Sequence, residues 1–367
     1  MISSILLILL GLCVAVQAFY CLYYFLPLWF YKDPESKTQH PVSVLVCGHN
    51  EYDNWQALIP LLLQQVYSKF ELIFIDDRST DESRFYLAQV AQEFPMVKIV
   101  TVKNTPAGFS PKKYALTLGI KVAKYEHLLF TDTDCRPVSD QWIAGMMSGY
   151  EPGASIVLGY SPYNKVKGFL NQLIRFETLL TAIQYLSFAV RGTAYMGVGR
   201  NLSYTKSLYY HNKGFASHIK SLGGDDDLFV GEAAENQKVS VVVNPASFML
   251  SRPKERYTDW ITQKIRHLAA GRHYKTKHKG RIGIFILANI VFYVTSIVLL
   301  SIHEQIAWLG VIVGLRLLIV LPVYTLLARK LNEKFSLLQI AVLDVIFFCN
   351  YVYLGLSVLM FKKVKWK

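Results

Sequence analysis

Several common patterns that bind nucleotides, zinc or disulfide partners are missing from this sequence. There is no G-x-x-x-x-G-K-[ST] pattern and no G-x-G-x-x-G after the first predicted strand, so an ATPase or a dinucleotide-dependent enzyme loses its main support. None of the five cysteines stands in a C-x-x-C pair or a Cys/His cluster, which argues against a disulfide framework and a zinc site. No internal repeat or low-complexity tract is present, and this excludes solenoid and collagen-like classes.

Charged residues are scarce as well. Only 18% of the 367 residues are charged and 52% are apolar, whereas a typical soluble domain has about 25% charged residues. Mean hydropathy is +0.27. This composition excludes a disordered chain and argues against an ordinary cytosolic protein.

The apolar residues are concentrated at the two ends of the chain. Ile2 to Tyr31 carries no charge and is longer than the about 20 residues that cross a bilayer, so we interpret it as a membrane anchor. A cleaved signal peptide is the alternative, but no basic segment precedes the run. Arg316 and Asp344 are costly within lipid and are expected to pair across helices or to line a solvated cleft. Three more spans are predicted, at 282–302, 306–328 and 335–361.

Basic residues beside the spans predict their orientation. Lys32, the basic stretch before the second span and the joint 329–334 belong on the cytoplasmic side by the positive-inside rule, so the domain between the spans is predicted to be cytosolic. Four spans then place the four lysines of 362–367 outside, where they are disfavoured. Either the last run is a re-entrant hairpin broken near Asp344 or Asn350, or the tail is an exception.

Positive charge is concentrated between residues 252 and 281, where ten Lys and Arg accompany two acidic residues. Directly before a membrane span, such a stretch more often meets anionic lipid or a phosphate-bearing substrate than nucleic acid. Apolar residues recur at helical spacing from Trp260 to Leu268, which predicts an amphipathic helix along the membrane interface.

The middle of the chain alternates short β-branched runs with helical patterns. The predicted strands begin 29, 26 and 30 residues apart, at 42–47, 71–76, 97–102 and 127–131. The predicted helices between them are 55–66, 81–94 and 112–123. This rhythm indicates repeated βαβ units, and therefore an α/β fold with a mostly parallel sheet whose ligand crevice lies at the carboxyl ends of the strands.

Acidic residues follow three of these strands at the point where each strand ends. They are Glu51 after the first strand, Asp76 and Asp77 after the second, and Asp132 and Asp134 after the fourth. Because the carboxyl ends of parallel strands meet at one edge of a sheet, we expect these side chains to surround one crevice. Two carboxylates two residues apart suit Mg²⁺ or Mn²⁺, which usually bridges to phosphate oxygens.

Seven motifs occur in an order that is typical of a known family. They are VSVLVCGHNE, ELIFIDDRSTDES, SPKKYALTLGI, HLLFTDTDCRP, GRNLSY, GGDDDLFV and QKIRH. From about Pro41 to Tyr274 the chain therefore resembles the inverting glycosyltransferase family 2, which has the GT-A fold. The resemblance implies a nucleotide-sugar donor, a Mg²⁺ or Mn²⁺ ion and a single displacement at the anomeric carbon.

The resemblance also implies roles for the residues at the first strand ends. Glu51 and Asp77 match the residues that hold the nucleoside, with Asp76 as their neighbour. Lys112 matches a lysine that contacts the donor phosphates, although Pro111 stands where glycine is usual.

Two acidic motifs complete the implied site. Asp132 and Asp134 match the D-x-D motif, so the resemblance implies that they hold the metal ion and that Asp132 lies beside the donor. Asp225 aligns with the general base that removes the acceptor hydroxyl proton, with Asp226 as the alternative and Gly224 where an acid is usual.

The last motif resembles the Q-x-x-R-W signature of the family. Gln263 and Arg266 match it, whereas His267 replaces tryptophan. The resemblance implies that this segment closes over the donor and that Arg266 stabilises the leaving diphosphate. Residues 197–201 resemble the loop that lines the acceptor side, and the apolar stretch 169–190 is either core or the entry of a lipid acceptor.

The predicted organisation has four parts: an anchor (1–31), a GT-A domain (41–250), a basic interfacial helix (251–281) and C-terminal transmembrane helices (282–367). We predict an integral membrane protein, in the inner membrane if bacterial, with a cytoplasmic catalytic domain. It would move a sugar from a UDP- or GDP-sugar to a membrane-associated lipid or glycan acceptor, with no nucleic-acid partner. The alternatives are a processive polysaccharide synthase of the same family and a membrane transporter or scaffold with a nucleotide-sensing domain.

Overall fold

The computed structural model describes residues 2–35, 39–221 and 223–360. The strands in this part of the chain are β1 Val42–Gly48, β2 Phe70–Asp77, β3 Val97–Val102, β4 His127–Asp132, β5 Cys135–Pro137, β6 Ala154–Gly159, β7 Leu202–Thr205, β8 Lys238–Val242 and β9 Met249–Ser251. The α-helices are α1 Ile2–Phe19, α2 Leu26–Phe30, α3 Tyr52–Leu63, α4 Ser83–Glu93, α5 Pro111–Val122, α6 Trp142–Ser148, α7 Phe169–Val190, α8 Lys206–His211, α9 Asp227–Ala233, α10 Tyr257–Gly271, α11 Thr276–Ser301, α12 Ile306–Lys330 and α13 Leu337–Met360. A π-helical segment, Tyr20–Phe25, joins α1 to α2, and 3₁₀ turns lie at Gly199–Asn201, Ala216–His218 and Pro245–Ser247.

These elements form two compact units. The α/β unit contains the described residues of 32–167 and 192–254. The helical unit contains those of 1–31, 168–191 and 255–367. The predicted domain 41–250 is thus interrupted by α7, which groups with the other long apolar helices because its own sequence is apolar over most of its length.

The α/β unit is built on a seven-stranded sheet in the order β3-β2-β1-β4-β7-β6-β8. The strands β3, β2, β1 and β4 run parallel, β7 is antiparallel to both of its neighbours, and β8 is parallel to β6. In β1, Cys47 pairs with Ile75 on one side and with Asp132 on the other. The carboxyl ends of β1, β2 and β4 therefore lie side by side, and the predicted α/β fold with a mostly parallel sheet is confirmed.

Apolar packing on both faces explains why the central strands are continuous β-branched runs. Trp55 and Leu58 of α3 are fully buried against the sheet core that contains Val44 and Phe74. On α5, a Cβ at Gly119 would collide with the Ile75 side chain, so glycine permits the close approach of this helix to β2. The predicted helices and strands agree with the observed ones to within a few residues.

The helical unit contains five helices long and apolar enough to cross a membrane, judged by length and composition within the described residues. They are Ile2–Phe30, Phe169–Val190, Thr276–Ser301, Ile306–Lys330 and Leu337–Ser357. Four of them coincide with the predicted spans, and α7 is the addition. Large apolar side chains on α12 and α13 are left exposed, such as Leu318 at 73% and Leu338 at 75%, as expected for helices that face lipid.

Of the two alternatives for the last span, the break near Asp344 or Asn350 is not observed. Helix α13 runs without interruption through Asp344 and Asn350. The break is unnecessary because both polar side chains find partners: Asn350 Nδ2 donates to the Ile346 carbonyl at 2.8 Å, and Asp344 Oδ2 accepts from Arg316. The lysines of 362–367 lie outside the described residues.

A buried polar cluster joins four helices of this unit. The Arg316 guanidinium on α12 donates to Asp344 Oδ2 on α13 at 2.5 Å, to Gln17 Oε1 on α1 at 2.6 Å and to Asn289 Oδ1 on α11 at 3.1 Å. Tyr293 donates a further hydrogen bond to Asp344 Oδ2 at 2.6 Å. Of the two alternatives for Arg316 and Asp344, pairing across helices is observed, and it satisfies two charges that lipid alone would not accommodate.

Two more ion pairs connect α7 to the rest of the helical unit. The buried Arg175 pairs with Glu333, in the joint between α12 and α13. Glu177 pairs with Lys264 of α10. These contacts explain how α7, although apolar, carries two charged residues in its buried face.

Removing one member of the Arg316–Asp344 pair is expected to destabilise the helical unit. In Arg316→Leu the Asp344 carboxylate stays buried without its cation, which should cost about 3–5 kcal/mol, as for other broken buried pairs. Thermal unfolding of the detergent-purified protein measures the loss. Leu318→Ala, an exposed position on the same helix, is the matched control and should unfold close to the wild type. Equal unfolding midpoints for the two variants would contradict the prediction.

Candidate active site

The loops that follow β1 and β2 are joined by hydrogen bonds. Asn50 adopts a left-handed conformation (φ 55°). Its Oδ1 accepts from the Thr80 N–H at 2.7 Å, and its own N–H donates to Ser79 Oγ at 2.9 Å. The next N–H, of Glu51, donates to Ser83 Oγ at 3.2 Å. These bonds place the Glu51 side chain at the carboxyl edge of the sheet, where burial raises its pKa.

The two aspartates at the end of β2 have different partners. Asp76 Oδ1 accepts from the Ser79 N–H at 3.2 Å and so stabilises the turn after the strand. The Asp77 carboxylate accepts two hydrogen bonds from Arg78, from Nε at 2.8 Å and from Nη2 at 3.1 Å. Both aspartates are buried. Their predicted contact with a nucleoside stays a prediction.

A pocket opens at the carboxyl ends of β1 and β4. The empty space in it, including the part open to solvent, is about 320 Å³. It is lined by Cys47, Lys112, Leu116, Phe130, Thr131, Asp132, Gly199, Leu202, Tyr204, Asp225 and Asp226. Four of the sequence-predicted site residues are therefore brought together here, from β4, α5 and the segment before α9.

Lys112 lies between two carboxylates of this pocket. Its Nζ is 3.0 Å from Asp132 Oδ1 and 3.0 Å from Asp225 Oδ2. Burial disfavours the charge of Lys112, but the fields of Asp132 and Asp225 hold its pKa well above the ordinary value. Lys112 is the first lysine of α5, which explains how a side chain distant in sequence from both aspartates reaches them.

Asp225 and Asp226 have opposite electrostatic environments. Burial raises the pKa of both carboxyls, but the Lys112 ammonium brings that of Asp225 below its usual range. The pKa of Asp226 stays raised because burial and the Asp225 charge outweigh its bonds. Asp226 Oδ2 accepts from the Gly199 N–H, and its Oδ1 accepts from the Asp227 N–H, each at 2.8 Å.

Gly224 has a local reason to stand where the family pattern has an acid. Its φ is +96°, a conformation that side chains other than glycine rarely adopt. A Cβ at this position would also collide with the Leu228 side chain. Glycine here allows the chain to turn directly into the aspartates that precede α9.

Asp132 and Asp134 fit a hard divalent cation. Burial and the charge of Asp132 raise the pKa of Asp134, a repulsion that a bound cation would relieve. Among the described residues, no group of three or more His, Cys, Asp or Glu side chains is arranged to hold a metal. Two carboxylates from the protein, with the remaining ligands from phosphate and water, is the coordination that Mg²⁺ commonly has.

Two residues of the site had no individual role predicted from the sequence. One is Arg200, which lies in the 3₁₀ turn Gly199–Asn201, within the loop 197–201 that resembles the acceptor side. The other is Lys113, whose buried Nζ donates to the His218 carbonyl at 2.5 Å, to the Ser221 carbonyl at 3.2 Å and to Ser221 Oγ at 2.6 Å. The only sequence signal for Lys113 was its position beside Lys112. It ties α5 to the loop that leads to Asp225.

Gln263 and Arg266 lie on α10, an element of the helical unit. The predicted amphipathic helix is observed there, between Tyr257 and Gly271. The predicted closure of this segment over the donor stays a prediction.

Part of the α/β unit matches the model of a known protein family. Residues 43–211 match the family model described as "Glycosyl transferase family 2". Over these residues the chain is similar to that family. The matched range contains β1 to β4 and the D-x-D residues and ends before the Asp225 cluster.

Two curated relatives are similar over part of their length. The chain is 25% identical over 247 residues to "Probable glycosyltransferase YdaM" of Bacillus subtilis (strain 168), covering 64% of this chain and 55% of the relative. It is 25% identical over 132 residues to "UDP-Glc:alpha-D-GlcNAc-diphosphoundecaprenol beta-1,3-glucosyltransferase WfaP" of Escherichia coli, covering 35% and 48%. The chain thus spans about half the length of each of these relatives.

A solved structure shares the fold. It is the mannosyltransferase PcManGT from Pyrobaculum calidifontis in complex with GDP-Man and Mn²⁺. The TM-score is 0.59 at 17% sequence identity, over 94% of this chain and 99% of that chain. The similarity confirms the GT-A fold predicted for the α/β part of the chain.

The buried Lys113 is expected to make stability depend on pH. Burial lowers the pKa of Lys113 to about 8 from the usual 10.5 of a lysine. Between these values the unfolded chain binds more protons than the folded one, so the free energy of unfolding should rise by about 2 kcal/mol from pH 8 to pH 10. Lys113→Met should lose this rise, and Lys121→Met, at an exposed position of the same helix, should keep it. Unfolding midpoints at the two pH values test this, and the same pH dependence in both variants would contradict it.

Proposed function

We propose that this protein is an inverting glycosyltransferase that moves a sugar from a UDP- or GDP-sugar to a membrane-associated acceptor. The observation that carries the proposal is the Lys112 ammonium between Asp132 and Asp225, in a chain that matches the family 2 model. A cation and carboxylates in one pocket are the groups that a diphosphate leaving group and an acceptor hydroxyl require. The pocket supplies both on side chains from separate elements.

Lys112 is the residue that we assign to the donor diphosphate. Without a ligand its ammonium neutralises Asp132 and Asp225, and donor phosphates would offer it stronger anionic partners. Asp132 and Asp134 would hold Mg²⁺ or Mn²⁺, which when bound neutralises charge that develops on the leaving diphosphate. Movement of Lys112 toward the phosphates would also release Asp225 from its ion pair.

Asp225 is the residue that we assign as general base. The Asp225 carboxylate forms an ion pair with Lys112, whose ammonium the donor phosphates can attract. By contrast, both carboxylate oxygens of Asp226 accept hydrogen bonds from main-chain N–H groups. Freed of the Lys112 charge, Asp225 would regain the basicity that burial favours and could accept the acceptor hydroxyl proton. Attack from the side opposite the leaving diphosphate inverts the anomeric carbon. In this assignment Asp226 has a structural role, because it accepts a hydrogen bond from the Gly199 N–H and so fixes that turn.

The remaining predicted residues complete the donor site. Glu51, Asp76 and Asp77 lie at the ends of β1 and β2, beside the pocket strands in the sheet order, and are assigned to the nucleoside side. Gln263 and Arg266 are assigned to the segment that closes over the diphosphate, since a guanidinium suits a leaving phosphate.

The acceptor class follows from the apolar helices and from a relative. Within the described residues, five helices are long and apolar enough to cross a membrane. The printed name of WfaP describes a diphosphoundecaprenol acceptor, which is a lipid. We therefore assign a lipid acceptor, transfer of one sugar, and a catalytic domain on the cytoplasmic face, in the inner membrane if the source is bacterial. The positive-inside rule supports that orientation.

Release of UDP or GDP from a panel of nucleotide sugars tests the proposal. The full chain in native lipid extract should release nucleotide from one donor with Mn²⁺ or Mg²⁺ and not with EDTA. Asp225→Asn should lower turnover by about 10²- to 10⁴-fold, the usual contribution of a general base, while nucleotide binding is retained. Asp140→Asn, an exposed aspartate of the α/β unit, is the matched control and should retain full turnover.

The variants also separate the alternatives. A larger loss in Asp226→Asn than in Asp225→Asn would move the base to Asp226. Product that lengthens into a polymer would favour a processive synthase. Nucleotide binding without release from any donor, with acceptors present, would refute the transferase and favour a sensing domain.

A further inference from the structure

The 3₁₀ turn that carries Arg200 is held rigidly beside the pocket. On one side, the Gly199 N–H donates to Asp226 Oδ2 at 2.8 Å. On the other, Asn201 is fully buried, accepts from Trp142 Nε1 at 2.9 Å and donates to two main-chain carbonyls, each at 2.9 Å. Because both neighbours are anchored, the position from which the Arg200 side chain extends is fixed.

The flat face of the Arg200 guanidinium packs on an aromatic ring, but one of its edge nitrogens has no hydrogen-bond partner among the described residues. It lies over the Tyr163 ring, with Cζ 4.5 Å from the ring centroid. Its Nη1 is buried and has no hydrogen-bond partner within residues 2–35, 39–221 and 223–360. Stacking on an aromatic ring accounts for the flat face of a guanidinium, but a buried charged N–H that bonds to nothing is unfavourable. Within the described residues, the protein thus supplies no acceptor for the buried Nη1 donor of Arg200.

The position of Arg200 indicates the kind of group. Its positive charge acts on Asp134 and Asp132, so it lies close to the D-x-D residues. Lys112 is in contact with Asp132 at 3.0 Å. Two cations therefore act on Asp132, although one would be enough to neutralise this carboxylate. A guanidinium edge presents paired N–H donors that match two oxygens of a phosphate.

We propose that Arg200 is a phosphate-binding side chain of this site, and that its free edge donates to phosphate oxygens of a bound substrate. This inference rests on the proposed transferase function and extends it to a residue without an assigned role. The phosphate can belong to the donor diphosphate or to a phosphate-bearing acceptor. Both have the same chemistry at the guanidinium edge, and binding measurements separate them.

The test measures binding to the full chain in detergent micelles with Mn²⁺ by titration calorimetry. The donor arm uses UDP and GDP beside uridine and guanosine, and the acceptor arm uses farnesyl phosphate beside farnesol. In at least one arm, Arg200→Gln should weaken the phosphate-bearing probe by about 10- to 100-fold, the range of hydrogen bonds to charged groups, and leave the phosphate-free probe unchanged. Arg200→Lys keeps the positive charge but lacks the paired N–H donors of a guanidinium, so an intermediate loss of affinity is expected.

The control and a folding check accompany these variants. Arg84→Gln, at an exposed position on α4, should bind every probe like the wild type. Thermal unfolding midpoints establish that each variant is folded. If Arg200→Gln does not fold, Arg200→Lys carries the test, because it retains the positive charge and most of the side-chain length.

The measured affinities show whether Arg200 binds phosphate and whether that phosphate belongs to the donor or to the acceptor. Weaker UDP or GDP binding in Arg200→Gln assigns the phosphate to the donor, and weaker farnesyl phosphate binding assigns it to the acceptor. Unchanged affinities in both arms, or no phosphate-dependent binding by the wild type, overturn the inference. A wild-type protein that binds a probe through Arg200 but releases no nucleotide refutes only the transferase. A working transferase whose Arg200 variants bind normally refutes only the phosphate site.

Discussion

The charge balance around Lys112 is the constraint on which the site depends. Parallel strands that end together bring carboxylates to one edge of the sheet, where burial and mutual repulsion raise their pKa values, as at Asp134 and Asp226. One ammonium in contact with Asp132 and Asp225 makes this arrangement tolerable without a ligand. The same contact makes the site responsive, since a phosphate that attracts Lys112 changes the basicity of the carboxylates that it leaves.

The helical unit follows the same physical rule in an apolar setting. The buried Arg316 is accompanied by Asp344 and by amides from two other helices, so that no charge is left to lipid. The pair Arg175–Glu333 does the same for α7. In both units, residues far apart in sequence form ion pairs where a single buried charge would be unfavourable. These ion pairs specify which helices and strands are neighbours.

Much of the fold and part of the site could be predicted from local patterns. The strands from β1 to β4, the helices between them, the long apolar helices and the acidic strand ends all have a signal within a few consecutive residues. The continuity of α13 through Asp344 did not, because a polar residue in an apolar run is compatible with a break until its partner Arg316 is placed. The role of Lys113 was equally invisible, since its acceptors belong to His218 and Ser221, about a hundred residues later.

The sequence by itself determined the α/β class, the long apolar helices and the motif residues, because periodicity and residue type act locally. Only the tertiary structure decided that Lys112 contacts Asp132 and Asp225 together and that Asp226 bonds to the Gly199 turn. It also decided that Arg200 Nη1 is buried without a hydrogen-bond partner among the described residues. These are distances and burial between separate elements. They depend on strand register and on how closely α5 approaches the sheet, which no single segment encodes.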